Sequence, residues 1–100
     1  MAQLVVLYKT PKDVDAFDEH YLETHVPLAK KIPGLRKYEI SQGTVMTPAG
    51  PSDVHLVATL HFDTMAAILK AFASAEGQAA AADAEGLSAM EMLVFETQEV

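Results

Sequence analysis

Four strand-like segments and two helix-like regions alternate along this chain in the order βαββαβ. That order predicts an α+β fold of the ferredoxin-like class, a four-stranded antiparallel sheet with both helices on one face. Three observations carry the prediction. Branched and apolar residues run together from Gln3 to Tyr8, and apolar residues alternate from His55 to Phe62. Between them Val14, Phe17, Tyr21, His25, Leu28 and Ile32 recur at helical spacing.

Each element has its own warrant. Gln3 to Tyr8 is bounded by Lys9-Thr10-Pro11 and reads as a buried strand. Thr10 is placed to cap the next helix with Pro11 at its first position, where no amide donor is missed, and Asp13 stands where a capping-box acid belongs. The stripe from Val14 to Ile32 forms an inward face. Asp15, Asp18 and Glu19 lie early and Lys30 and Lys31 late, as the helix dipole favours. Pro27 removes a donor, crowds the carbonyl four residues back and biases Val26 away from helical angles. The helix is therefore expected to kink or restart near Val26 and to end at Pro33-Gly34.

Leu35 to Gln42 reads as a second strand, with Tyr38 and Ile40 on one face and Lys37, Glu39 and Ser41 on the other. Gly43, Pro48, Gly50 and Pro51 mark a loop up to Asp53. In the third strand Leu56, Ala58, Leu60 and Phe62 face one way, and His55, Val57, Thr59 and His61 the other. Asp63 or Thr64 caps a helix whose inward positions are Met65, Ile68, Leu69 and Phe72. Ser74 opens a further helical run through the alanines at 79–82 to Gly86, since alanine forms helix readily and permits close packing. Met90 to Thr97 is the last strand. Two helices cover one sheet face, so the partly apolar opposite face, around Val57 and along Met90 to Thr97, calls for a second copy packed face to face.

Composition sets the outer bounds. One hundred residues make one domain, and half of them are hydrophobic, enough for a core. A formal charge of -7 argues against nucleic acid, whose phosphates need a basic surface. Without cysteine there is no disulfide, thiolate or iron–sulfur chemistry, and a cytoplasmic address fits. The start MAQLVVLYKT reads as a strand, not a signal peptide, and no apolar run reaches membrane-spanning length.

The segment Tyr8 to Leu35, through Phe17, Tyr21, His25, Pro27, Leu28 and Pro33-Gly34-Leu35, resembles the EthD family. So do Phe62, Ser74-Ala75-Glu76-Gly77 and Ala82-Asp83, so that the likeness spans nearly the whole chain as one EthD-like domain, 1–100. The resemblance implies a homodimeric α/β-barrel built by two ferredoxin-like sheets. It also implies a link to bacterial degradation of ethyl tert-butyl ether, in which the founding member accompanies a cytochrome monooxygenase system. Wider relatives include cofactor-free monooxygenases, cyclases, isomerases and haem-dependent enzymes, so the family name carries the fold further than the reaction.

His25 is the first candidate for chemistry. It falls on the inward stripe, so its imidazole points between helix and sheet, either as general acid or base or as a core histidine tied to a backbone carbonyl near Pro27. Tyr21, one turn earlier, can orient the imidazole or bind a substrate oxygen. Tyr8 at a strand end, Phe17 on the stripe and His61 at the end of its strand are expected to bind ligand, His61 alternatively serving the dimer interface. Asp18 lies one further turn back and reads as a solvated acid. His20 and His25 stand about 140° apart on a regular helix, and His55 and His61 about 20 Å apart on a strand, so neither pair chelates one ion. No metal set, phosphate loop, nucleophile elbow or dinucleotide motif is present, and no cofactor is expected. The functional expectation is an accessory protein of small-molecule catabolism that holds a small apolar ligand. A cofactor-free isomerase, cyclase or lyase using His25 and a purely structural assembly domain are the alternatives.

Overall fold

A computed structural model describes residues 1–100. Strand β1 (Ala2–Lys9) leads through helix α1 (Val14–His20), a π-helical turn (Tyr21–His25) and α2 (Val26–Lys30) to β2 (Lys37–Ile40). The short strands β3 (Met46–Thr47) and β4 (Gly50–Pro51) precede β5 (Val54–Phe62), α3 (Met65–Ala73), α4 (Ala75–Glu85) and β6 (Met90–Glu96). The main sheet has the order β2-β5-β1-β6 and every pairing in it is antiparallel. This is the ferredoxin-like fold expected from the sequence, with the second helical region divided at Ser74.

Burial alternates residue by residue along β1 and β5, because successive side chains point to opposite faces. Leu4, Val6, Tyr8, Leu60 and Phe62 face the helices and pack with Ile68 of α3 into one core. On the other face the register sets Val5 beside Leu93, Gln3 beside Phe95 and Leu7 beside Val57. Leu93 and Phe95 are exposed there, so the outer face carries a continuous apolar strip.

Several local expectations are corrected. Asp13, not Thr10, caps α1, its carboxylate accepting from the Ala16 amide at 3.0 Å. Thr10 is held elsewhere: its amide and hydroxyl both donate to the Asp53 carbonyl. Val14, in the first turn, is exposed. The α-helix restarts at Val26 as expected, but Val26 itself keeps helical angles (φ -57, ψ -46) and is not pushed away from them. The strain is taken up upstream, in a turn where the Val26 amide bonds the Tyr21 carbonyl five residues back. Pro27 then falls in the first turn of α2, where its missing donor costs little. The widened turn shifts the helical phase, and Ala29 is buried where Leu28 was expected.

The helix stops at Lys30, three residues before the expected Pro33-Gly34, where Gly34 adopts φ +81, which favours glycine. The loop from Gly43 to Asp53 contains the β3–β4 hairpin, pairing Met46 with Pro51. Thr64 caps α3 by accepting from the Ala67 amide. Leu69 is exposed, because it stands about 100° round the helix from Ile68, outside the stripe that meets the sheet. Ser74 caps α4 as expected. A register shift between Tyr8 and Lys9 turns His55 out of the alternation, and its ring meets Phe17 edge-on at 5.1 Å. His55 therefore does not share the outer face with His61.

Candidate functional site

Between the helices and the sheet lies a cavity of about 50 Å³. Among its lining residues only His25 and Gly77 are not hydrophobic. A volume this size exceeds the roughly 10–15 Å³ that one water needs and falls well below the roughly 300–1,000 Å³ of a drug-sized site, so it suits a compact guest.

The polar groups come from three elements. Tyr8 projects from β1, Tyr38 from β2, and Tyr21 and His25 from the π turn, and all four line the cavity. The Tyr21 and Tyr38 hydroxyls lie 2.6 Å apart. One donates to the other, so the pair keeps one proton to offer elsewhere. Burial, reinforced at Tyr8 and Tyr21 by the neighbouring Tyr38 hydroxyl, pushes the phenols of Tyr8 and Tyr21 far up, and burial also raises Tyr38. All three remain neutral hydrogen-bonding groups. The rings are packed firmly: Phe17 stacks on Tyr21 at 5.8 Å, Tyr8 meets Tyr21 edge-on at 5.6 Å, and Tyr21 leans on His25 at 4.9 Å.

His25 is buried, and its Nδ1 lies 2.9 Å from Oδ2 of Asp83 on α4. The other oxygen of the same carboxylate takes His20 Nε2 at 2.8 Å. Partial burial pushes the Asp83 carboxyl up, but the hydrogen bonds from His20 and His25 outweigh it and hold it below the usual carboxylate range. An ionised Asp83 accepts only, so Nδ1 of His25 donates to it. In a neutral imidazole the remaining nitrogen, Nε2, is then an acceptor. Neither Nε2 nor the Tyr8 hydroxyl bonds another group of the chain, yet no side-chain polar atom is sealed away without a partner. Both are therefore open to the space beside them, and Tyr8, only 1% exposed, has the cavity as that space.

The structure thus brings Tyr8, Tyr21 and His25 to one cavity and leaves Phe17 and His61 off it. Phe17 lies behind, as the plate on which Tyr21 stacks. His61 occupies the outer sheet face, its Nε2 2.9 Å from Glu39 Oε1. Asp18 is not aligned with Tyr21 and His25; it accepts from His55 Nε2 at 2.7 Å. The angular separation of His20 and His25 does not hold either. The π turn, whose hydrogen bond spans five residues, stands them one above the other, and both reach Asp83.

Sequence reasoning missed Tyr38 and Asp83 as site residues. Tyr38 carried a weak signal, since it shares a face and a register position with Leu60. Asp83 carried a better one. An acid in the last turn of a helix opposes the dipole, and in an alanine-rich run it needs a compensating cation or donor.

Residues 9–91 match the EthD domain. An uncharacterized 11.0 kDa protein of the thcB-thcC intergenic region of Rhodococcus erythropolis is 39% identical over 83 residues, 83% of this chain and 80% of that one. The crystal structure of an ethyl tert-butyl ether (EthD) family protein from Bacillus halodurans superposes with a TM-score of 0.91 at 34% identity, covering 98% of this chain and 99% of that one. A protein from Bacteroides fragilis, described as dimeric with a ferredoxin-like fold, aligns with a TM-score of 0.65 at 22% identity over 96% and 95% of the two chains, a likeness of fold alone. No helix is long and apolar enough to cross a membrane. On the family match across residues 9–91, and on the two relatives above 30% identity, the chain belongs to the EthD family.

Proposed function

We propose that this protein binds a small, mostly apolar molecule in the cavity between helix and sheet, in an accessory role in small-molecule catabolism of the ether and xenobiotic kind, and that it works as a homodimer. One observation carries the reading. His25 and Tyr8 line a hydrophobic cavity, and neither the His25 Nε2 nor the Tyr8 hydroxyl makes a hydrogen bond within the chain, so a guest could satisfy both. The apolar strip of Val5, Leu7, Val57, Leu93 and Phe95 supports pairing of two sheets through one self-complementary surface. The test is thermal denaturation of the native protein across ethers, tertiary alcohols and small aromatics. A ligand at a hundredfold its Kd adds about 2.7 kcal/mol, a shift of roughly 10 °C or more for a domain of this size. Absence of any saturable shift across the series refutes the binding reading.

The contact between Asp83 and His25 favours a second reading, a cofactor-free isomerase, cyclase or lyase. A carboxylate on Nδ1 makes Nε2 a better proton acceptor and stabilises the imidazolium once formed. On this reading His25 exchanges a proton and a tyrosine hydroxyl holds the substrate oxygen. Turnover then falls at least about 100-fold in His25→Ala with the fold intact. Unchanged turnover in that variant removes the reading.

A further inference from the structure

We infer that the guest of this cavity is a compact molecule bearing a hydroxyl group, in preference to an ether of the same size, and that Asp83 sets this preference by fixing which nitrogen of His25 carries the proton. The inference rests on the binding reading above and narrows the class of ligand.

Free neutral imidazole of histidine favours the proton on Nε2. Here Nδ1 faces a carboxylate at 2.9 Å, and the second oxygen of that carboxylate is occupied by His20 at 2.8 Å. The proton of neutral His25 therefore sits on Nδ1, and Nε2 presents a lone pair. The ring's one side-chain hydrogen bond runs through Nδ1, so no group of the chain engages that lone pair. On the same cavity the Tyr8 hydroxyl is a donor without a partner, and the Tyr21–Tyr38 pair holds one proton in reserve. The site thus asks for one donor and at least one acceptor from its guest. The other lining groups are apolar, so a single polar function must supply both.

A hydroxyl does so: its oxygen accepts from tyrosine and its proton goes to His25 Nε2. An ether oxygen accepts from tyrosine but leaves Nε2 dehydrated and unpaired. A site built to hydrogen-bond a hydroxyl rejects the analogue lacking it more strongly than it rejects a change of size.

The arrangement goes with the π turn: His20 at its start and His25 at its end both reach the one carboxylate. Asp83 makes no contact with the cavity and acts through His25, as a positioning residue.

Two isomeric probes test this in the native protein: tert-amyl alcohol and methyl tert-butyl ether, which have the same number of heavy atoms and nearly the same shape. Titration followed by NMR should show the alcohol binding at least about tenfold more tightly. Nitrogen NMR of the ligand-free protein, at a pH where histidine is neutral, should find the His25 proton on Nδ1. In Asp83→Ala the alcohol-to-ether ratio should collapse toward unity, because the ring regains its ordinary tautomer. If neither probe binds saturably at His25, the hydroxyl inference falls. If no member of the wider series binds, the binding reading falls with it. If the ether binds as tightly as the alcohol, the inference falls and the binding reading stands. A proton found on Nε2 in the native protein, or an alcohol preference unchanged in Asp83→Ala, also overturns it.

Discussion

Gly77 provides a demanding test of the α3–α4 packing, because helix propensity and tertiary structure predict opposite outcomes. It occupies the third position of α4, one of its buried residues. By propensity alone Gly77→Ala should stabilise the helix by about 1 kcal/mol. In the fold, however, a Cβ at this position would overlap the Ala71 carbonyl, with the carbonyl carbon at 2.9 Å and the Ser74 Oγ at 3.1 Å. Neither obstacle can swing aside. Ala71 is buried backbone at the end of α3, and Ser74 Oγ donates to the Ala71 carbonyl at 2.6 Å while capping the Gly77 amide at 3.0 Å. Relief requires prising α3 from α4 and giving up the cap. Overpacking costs about 1–3 kcal/mol and a lost serine cap about 1 kcal/mol. Set against the propensity gain, the net loss is about 2 kcal/mol, which lowers Tm by about 8–16 °C in a chain of this length. Thermal and urea denaturation of the variant measure it directly. A Tm equal to or above that of the native protein would refute the close α3–α4 junction.

Other predictions follow from the same geometry. Tyr21→Phe removes the 2.6 Å bond to Tyr38 and should cost about 1 kcal/mol, seen as a drop in Tm of about 4–8 °C; no change means the hydroxyls are not paired in solution. The Asp83 carboxyl titrates below its ordinary value in the folded chain because of His20 and His25. The stabilisation it contributes is present above the unfolded carboxylate pKa and lost as pH falls through the lower folded one. Native protein should accordingly exceed Asp83→Ala in stability at neutral pH, with the gap closing below about pH 4 in denaturation curves. A gap that widens on acidification contradicts the sign. Leu93→Glu puts a charge on the exposed apolar strip and should yield a monomer with unchanged circular dichroism; sedimentation showing an intact dimer would exclude this face as the interface.

The order of elements was legible in the sequence because it rests on local periodicity. The alternation Leu56, Ala58, Leu60, Phe62 and the stripe Phe17, Tyr21, His25 each survive whatever the rest of the chain does, and both are buried as read. The caps at Thr64 and Ser74 are equally local. Short-range signals also reached part of the site, since a tyrosine and a histidine on an inward stripe must enter the space between helix and sheet. The reading went astray where one assumption, a regular 3.6-residue period, ceased to hold. The restart at Val26 comes through a π turn, and that single change of phase buries Ala29 instead of Leu28 and lets His20 and His25 reach one carboxylate.

The chemistry of the site was decided by contacts that no local pattern encodes. Asp83 lies 58 residues from His25, Tyr38 17 from Tyr21, and Asp18 37 from His55. A carboxylate looks the same in sequence whether it meets water or two imidazoles. Only the packing of α4 against the π turn determines which, and with it which nitrogen of His25 donates to Asp83. The sequence by itself determined the fold and the family; the tertiary structure alone decided the hydrogen-bonding character of the pocket, because that character depends on which distant groups share a proton.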